Sequence, residues 1–317
     1  MSDTSWRPMA ELEAIRARAQ LLQNLRDFFH QRQVLEVDVP SLARAAVTDP
    51  YIDSIATQVC EQTLYLQTSP EFFMKRLLAA GSGDIYSLAK AFRNGEAGRK
   101  HNPEFTMLEW YRVGWDEHQL MDEVTELLRS CLDISSVEKL SYRQLFLRHL
   151  NIDPHKADAR TLQKIAREHG QFDWQDDDRD LWLDILMTHA IEPNMGEGLI
   201  LVYDFPQTQA ALARREVDEQ GELIARRFEA YIGGVELANG YWELCDFEEQ
   251  IQRFADDLQK RETQGLAQYP SDQHLVQALK QGMPECAGVA LGVDRLLMIS
   301  TGIDDIRQLL AFPFERV

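Results

Sequence analysis

The spacing of hydrophobic and polar residues divides the chain into recognisable helices and strands. After Pro8, apolar residues recur every three or four positions from Leu12 to Phe29, which predicts an amphipathic helix reaching about Gln33. The following VLEVDVP alternates with a period of two and predicts a short strand ending at Pro40. A strand, a turn at Ser69 and Pro70 and a helix from about Glu71 are predicted within TLYLQTSPEFFMKRLLAA. The later strands are predicted in IYSLAKAFR, EFTMLEWYR, LILVYDF, RFEAYIGGVELANGYWEL and GVALG.

The order of these elements predicts the fold class. Residues from about 115 to 170 are mainly helical in pattern, as is FEEQIQRFADDLQKRETQG, and the strands do not alternate regularly with helices. We therefore expect an α+β fold, with an antiparallel sheet flanked by helices, rather than a doubly wound parallel sheet. The expected organisation is a single domain over 1–317 with a helical insertion at about 115–195. Within it, the acidic run Asp176–Asp180 is interpreted as a solvated helix start.

Composition limits the class of protein. The 317 residues, 44% of them hydrophobic and 27% charged, are typical of a globular protein that buries a substantial core. The net charge of −19 disfavours extended nucleic-acid binding but is compatible with a buried basic pocket for one nucleotide. Four widely separated cysteines favour a reducing compartment. No membrane span or signal peptide is indicated, so a cytoplasmic location is expected.

The segment from Phe92 to Arg112 carries the first candidate site. Strand alternation places Ser87, Ala89, Ala91 and Arg93 on one face, so a guanidinium ends a row of small side chains. On the next strand, one face presents Phe105, Met107, Glu109 and Tyr111. Arginine suits a phosphate, a phenylalanine ring can stack on a purine, and the carboxylate can hold an amine. The alternative is a plain hairpin in which Arg93 pairs with Glu109.

A second candidate site lies in GGVELANGYWELCD. A two-residue turn at Asn239-Gly240 would place Glu236 directly opposite Glu243. Opposed carboxylates repel unless a cation lies between them, and carboxylate oxygens suit Mg²⁺. The alternative is two exposed glutamates separated by water.

The third candidate is GVALGVDRLLMIS. Gly288, Ala290 and Gly292 alternate and leave one strand face almost bare, while Arg295 falls in the first turn of the next helix. A nucleotide could lie against such a surface; the alternative is a tight strand-to-helix junction. Neither a GxxxxGK[ST] loop nor a GxGxxG fingerprint occurs.

Taken in order, these segments resemble the catalytic domain of class II aminoacyl-tRNA synthetases of the lysyl type, over roughly Ala14 to Phe312. The first helix and strand resemble its first motif, FRN with HNPEFTMLEWYR its second, ELANGYWEL the strands beyond, and GVALGVDRLL its third. The run HNPEFTMLEWY followed by GVALGVDRLL is the most specific part. One position departs from the family: FRNE is replaced by FRNGE, so Gly95 occupies the place of a glutamate that usually contacts adenine.

The resemblance implies roles for individual residues. It implies that Arg93 and Arg295 are catalytic and that the amino acid is bound by Ser69, Pro70, Glu71, Tyr111 and Glu243, to which the strand-face argument adds Glu109. It implies ATP contacts at Arg93, Asn94, Gly95, Asn102, Phe105, Glu236, Leu237, Gly292 and Arg295. It implies that Glu236 and Glu243 bind Mg²⁺.

The resemblance also implies a reaction. An amino acid would be activated by ATP as an adenylate and then passed to an acceptor. Because the first motif begins near residue 10, an anticodon-binding domain is not expected. This favours stand-alone paralogues that attach lysine or β-lysine to a lysine of elongation factor P, with no tRNA partner. A homodimer is implied by the first motif. The alternatives are a truncated enzyme that charges tRNA, a relative that makes asparagine, and an inactive binding module.

Overall fold

The structure, a computed structural model, describes residues 6–317. Its strands, in chain order, are β1 (Leu35–Glu36), β2 (Leu42–Ala43), β3 (Ala56–Val59), β4 (Gln62–Leu66), β5 (Ile85–Phe92), β6 (Glu104–Val113), β7 (Val137–Ser141), β8 (Leu199–Pro206), β9 (Arg215–Val217), β10 (Leu223–Ile232), β11 (Val235–Trp242) and β12 (Cys286–Gly292).

The helices are α1 (Leu12–Gln31), α2 (Glu71–Ala79), α3 (Glu117–Cys131), α4 (Tyr142–Leu150), α5 (Ala159–His169), α6 (Arg179–Leu186), α7 (Phe247–Thr263), α8 (Gln273–Gly282) and α9 (Val293–Thr301). A π-helical turn, Met187–Ile191, continues α6. Short 3-10 turns occur at Glu192–Asn194, Gln207–Gln209, Ile306–Gln308 and Phe314–Arg316. No helix among residues 6–317 is both long and apolar enough to cross a membrane.

The chain forms two compact units. The first comprises the residues up to Gly114, Ser130–Leu132 and Cys245–Val317; the second comprises Trp115–Arg129 and Asp133–Leu244. In the first unit, four strands lie in the order β1-β5-β6-β12, and every pairing is antiparallel except that of β1 with β5. A small sheet, β2-β4-β3, belongs to the same unit.

Helix α1 covers one face of this sheet in the first unit. The ring of Phe29 stacks on Tyr86 of β5 at 4.5 Å and meets Trp110 of β6 edge-on at 5.3 Å. Tyr86 and Trp110 are buried, and strand alternation directs their even-numbered neighbours to the same side. Aromatic burial of this kind is a large part of core stability. The opposite face carries the odd-numbered residues of β5 and β6.

The second unit has a core of its own. Its strands lie in the order β11-β10-β8-β7, with β9 also paired to β10, and only β7 and β8 run parallel. Helices α4, α5 and α6 bury their apolar faces in a core that includes Phe146, Leu162 and Trp182. The unit thus folds around its own apolar cluster.

The predicted fold class is confirmed, since most strand pairs are antiparallel and helices flank them. Helix α1 ends at Gln31, close to the expected Gln33, but Leu12 of its predicted apolar face is 55% exposed. Strand β1 is limited to two residues, although Val37 still donates a backbone hydrogen bond to Tyr86. The single domain with a helical insertion stays a prediction.

The prediction of a hairpin turn at Asn239-Gly240 is wrong. These residues lie inside β11, where Asn239 pairs with Glu229 and Gly240 with Phe228 of β10. The turn falls earlier, at Gly233-Gly234, where both residues have positive φ, 58° and 70°. A side chain at Gly234 would also begin 2.2 Å from the carbonyl oxygen of Glu192. Glu236 and Glu243 consequently follow one another along the same stretch of chain and do not oppose each other across a hairpin.

Candidate active site

The sheet face opposite α1 in the first unit combines small residues of β5 and β12 with larger ones of β6. Its register aligns Ser87, Glu109 and Ala290 in one row and Ala89, Met107 and Gly292 in the next. We call this surface the floor, made up of Ser87, Ala89, Ala91, Phe105, Met107, Glu109, Tyr111, Gly288, Ala290 and Gly292. The central strand β6 supplies its large side chains, and both neighbouring strands supply small ones. The row of small residues predicted from strand alternation is confirmed.

The floor is partly exposed toward one end and buried toward the other, although Ala91 and Met107 near the partly exposed end are also buried. Ala89, Phe105, Ala290 and Gly292 are partly exposed. Glu109 and Tyr111, by contrast, are each only 2% exposed. The floor therefore offers an accessible flat region beside a buried polar region, which suits a ligand that is planar at one end and charged at the other.

Arg93 lies near the partly exposed end. Its guanidinium carbon is 5.1 Å from the centroid of the Phe105 ring, a cation–π distance. Its Nη1 is 3.5 Å from a carboxylate oxygen of Glu96. The alternative in which Arg93 pairs with Glu109 does not hold, since the ion pair of Arg93 is made with Glu96. The aromatic ring and the guanidinium expected for nucleotide binding are thus side by side.

Arg295 is the second guanidinium. It lies in the first turn of α9, which begins where β12 ends, and one of its nitrogens is 2.7 Å from Nε2 of His101. Burial, together with the positive charge of Arg295, lowers the pKa of His101 below its usual value. The neutral imidazole can then accept a hydrogen bond from the guanidinium.

At the buried end of the floor, the carboxylate of Glu109 accepts hydrogen bonds from two hydroxyl groups. Ser69 donates to Oε2 of Glu109 at 2.8 Å, and the phenol of Tyr111 donates to Oε1 at 2.6 Å. The Ser69 hydroxyl also accepts from the backbone N–H of Glu71 at 3.0 Å. This network links the Ser69-Pro70-Glu71 turn to the floor.

Helix α2 starts at Glu71, directly after Pro70, as predicted. The Glu71 carboxylate forms an ion pair of 2.6 Å with Lys75, whose side chain is only 1% exposed. Glu71 and Ser69 also line a cavity of about 40 Å³ with Phe72, Phe73 and Asp272 among its walls. The hydroxyl of Ser69 thus connects the Glu109 carboxylate to the start of α2 at Glu71, and a carboxylate such as that of Glu109 can accept hydrogen bonds from a substrate amine.

Three predicted nucleotide contacts lie in or beside the loop between β5 and β6. The side-chain amide of Asn94 donates to Asp53 at 2.7 Å. The amide of Asn102 donates to the carbonyl of Glu104 and accepts from the backbone N–H of Phe314, which anchors the C-terminal turn. Gly95 has a φ of 78°, a conformation in which a glutamate would be strained. The change from FRNE to FRNG thus coincides with a left-handed loop residue.

The other three predicted residues belong to the second unit. Glu236 pairs with Tyr231 in the ladder, Leu237 is buried, and Glu243 is 1% exposed and bridges to Ala213. Two carboxylates are the oxygen donors that Mg²⁺ uses when phosphates and water complete its shell. Within residues 6–317, no group of three or more histidine, cysteine or acidic side chains forms a metal site. The magnesium pair stays a prediction that rests on the resemblance alone.

Sequence reasoning missed a buried polar connection beneath the floor. Asp294, 2% exposed, accepts from the backbone N–H of Thr106 and pairs with Arg18 of α1. Arg18 also donates to the Thr106 hydroxyl at 2.6 Å. The sequence signal for this connection is the aspartate that directly precedes Arg295 in GVALGVDRLL. This connection fixes α1 and the start of α9, and hence Arg295, against β6.

Comparison with known proteins identifies the class to which this fold and site belong. The family of class II tRNA synthetases (D, K and N) matches residues 5–316, and the chain belongs to it. Membership implies the use of ATP. The resemblance drawn from the motifs is thereby confirmed.

The individual relatives are more specific. The chain is 48% identical over 322 residues to the elongation factor P–(R)-β-lysine ligase of Pectobacterium atrosepticum, covering 99% of this chain and 98% of the relative. It is likewise 48% identical over 326 residues to the enzyme of that name from Yersinia enterocolitica, with 100% of each chain covered. The same name and identity occur in Yersinia pestis.

A substitution at Gly292 separates ligand binding from folding. Its φ is ordinary, and an added Cβ would lie 3.8 Å from its closest neighbours, both in the Arg295 side chain, so alanine fits without strain. On the floor, however, that side chain occupies the space of the ligand. We expect Gly292→Ala to weaken ATP binding about tenfold, the equivalent of ~1.4 kcal/mol, with little change in melting temperature.

The matched control is Gly302→Ala at the other end of α9. Gly302 has a φ of 70°, so alanine costs about 1 kcal/mol and lowers the melting temperature by a few degrees. ATP affinity, measured by calorimetry, should stay unchanged. Equal effects of the two substitutions on ATP affinity would contradict the floor as the nucleotide site.

Proposed function

We propose that the chain activates (R)-β-lysine with ATP and transfers it to a lysine ε-amine of elongation factor P. Two observations support this. The register of β5, β6 and β12 joins a buried carboxylate network to a partly exposed region of the floor, and the guanidinium groups of Arg93 and Arg295 lie near the partly exposed end. The full-length relatives carry the name of that activity.

In the first step, the amino-acid carboxylate attacks the α-phosphorus of ATP. A carboxylate oxygen–phosphorus bond forms, the bond to the bridging oxygen breaks, and pyrophosphate leaves with the electron pair. Arg93 and Arg295 stabilise the negative charge that develops on the phosphates, while adenine stacks on Phe105. Fixed guanidinium groups suit this task because they need no rearrangement as the charge develops.

In the second step, the acceptor ε-amine attacks the acyl carbon of the adenylate. The nitrogen–carbon bond forms, AMP leaves with the electrons of the carbon–oxygen bond, and the amine loses one proton. Both reactants are already aligned, so positioning supplies much of the acceleration. The product is an amide on a lysine side chain, and no covalent intermediate on the chain is needed.

Recognition of the amino acid falls to the polar end of the floor. Glu109, held by Ser69 and Tyr111, binds one substrate amine, and Glu71 lies at the same end. A dicarboxylic substrate would be repelled there, which argues against synthesis of asparagine. Glu243 is assigned to the same substrate through the resemblance.

Magnesium forms part of the proposal through Glu236 and Glu243, whose carboxylates would hold it. When bound, it would neutralise charge on the phosphates. The homodimer implied by the first motif belongs to the proposal as well.

The test is transfer to the protein acceptor. The chain is incubated with ATP, (R)-β-lysine and purified elongation factor P, and the acceptor is analysed by mass spectrometry. We expect a gain of one β-lysyl residue on a single lysine, absent when that lysine is replaced by arginine. A parallel reaction contains tRNA in place of elongation factor P. Transfer of the amino acid to tRNA and not to the protein would instead identify a tRNA-charging enzyme. Absence of transfer with every lysine isomer would favour an inactive binding module.

A further inference from the structure

Asp53, outside all the motifs, makes contacts that bear on the nucleotide. It lies in the loop before β3. Its carbonyl oxygen accepts from the backbone N–H of Asn94 at 2.9 Å, and its Oδ2 accepts from the Asn94 side chain at 2.7 Å. Both the main chain and the amide of Asn94 are thus held by one residue, at the point where the chain leaves Arg93 for the loop.

Asp53 is itself held in place. The phenol of Tyr269 donates to its Oδ1, and Arg261, whose side chain is 1% exposed, lies 3.7 Å from the same oxygen. The Arg261 guanidinium is fixed by the backbone carbonyls of Asp49 and Ile52. Burial tends to raise the pKa of Asp53, but the hydrogen bonds from Tyr269 and Asn94 and the charge of Arg261 outweigh it and lower the pKa.

An ionised carboxylate decides which way the Asn94 amide faces. Because a carboxylate can only accept hydrogen bonds, the group of Asn94 directed at it must be the NH₂. The carbonyl oxygen Oδ1 therefore faces away from Asp53. Within residues 6–317 it accepts no hydrogen bond, and Asn94 is exposed, so this oxygen is available to a donor.

Gly95 supplies no carboxylate at this place. It follows Asn94, and its φ of 78° disfavours any residue with a side chain here. The remaining loop carboxylate, Glu96, is paired with Arg93. Asp53, from a different part of the chain, places its carboxylate beside Asn94, the residue that precedes Gly95.

We propose that Asp53 is a positioning residue for ATP, which fixes Asn94 so that its side-chain oxygen accepts from the exocyclic amine of adenine. This rests on the proposed function. It predicts discrimination against inosine triphosphate, which has a carbonyl oxygen in place of that amine and would face another acceptor.

The experiment measures equilibrium binding of ATP and of inosine triphosphate by calorimetry, without turnover. Wild-type protein should bind ATP the more tightly. In Asp53→Ala we expect ATP affinity to fall about three- to tenfold, as for the loss of one net hydrogen bond, with inosine triphosphate little affected. Asp53→Asn leaves one oxygen for the two donors of Asn94 and Tyr269, and its NH₂ can turn toward Asn94, so we expect it to reduce the preference as well.

Glu96→Ala is the matched control, because it removes another carboxylate near the same loop and should leave the preference unchanged. Should Asp53→Ala not fold, Tyr269→Phe, which loosens Asp53, should show a smaller shift in the same direction. An unchanged ratio of the two affinities in the folded Asp53 variants, or a shift seen only with Glu96→Ala, overturns the inference. Failure of the wild-type protein to bind ATP at all would overturn the proposed function instead.

Discussion

Replacing Arg295 with alanine is expected to slow amino-acid activation by about a hundred- to a thousandfold. Its guanidinium lies at the start of α9, next to Gly292 of the floor, where the phosphates are proposed to lie. Alanine removes a fixed donor from the charge that develops in the transition state, and water would have to replace it. The measurement is the rate of pyrophosphate exchange into ATP at saturating substrates.

The variant Arg295→Lys should not recover the full activity, because the single ammonium group of a lysine side chain cannot reproduce the planar fork of arginine. The control is Arg307→Ala, which removes a guanidinium of the first unit that is paired with Asp305. That variant should keep the wild-type exchange rate. Retention of more than about a tenth of the activity in Arg295→Ala, with normal folding, would remove Arg295 from the mechanism.

Glu109→Gln should raise the KM for the amino acid by at least about thirtyfold, the equivalent of ~2 kcal/mol. The substitution keeps the shape of the side chain and leaves one oxygen for the hydroxyls of Ser69 and Tyr111. It removes the negative charge that is proposed to bind the amine in a site that is 2% exposed. The KM for ATP should change far less, so the measurement is both constants in the exchange assay.

Glu104→Gln on the same strand is the control. Its side chain is 53% exposed and pairs with Lys90, and strand alternation directs it away from the floor. Exposed pairs of this kind contribute little, so both constants should remain as in the wild type. A rise in the KM for ATP equal to that for the amino acid in Glu109→Gln would show that Glu109 does not belong to the amino-acid end.

The floor could be predicted because it follows from a local rule. Alternation along a strand fixed the faces of β5, β6 and β12, and the structure then added only their register. The position of the turn, which lies at Gly233-Gly234 and not at Asn239-Gly240, could not be predicted because it does not depend on local sequence alone. Asn-Gly and Gly-Gly both satisfy the turn geometry, and the choice depends on β10, which pairs with β11 through Asn239 and Gly240.

The polar connections were out of reach of the sequence. The contacts of Asp53 with Tyr269 and of Arg18 with Asp294 join residues more than 200 positions apart, and no spacing rule indicates them. The length of β1 was also overestimated, because a pattern of alternation does not reveal whether a partner strand continues alongside. Long-range packing decides these features.

The most direct measurement is exchange of labelled pyrophosphate into ATP in the presence of single amino acids. The account predicts exchange that depends on (R)-β-lysine, fails with aspartate, and is lost in Arg295→Ala. Exchange that is absent with every lysine isomer, or that proceeds equally well with aspartate, would contradict it.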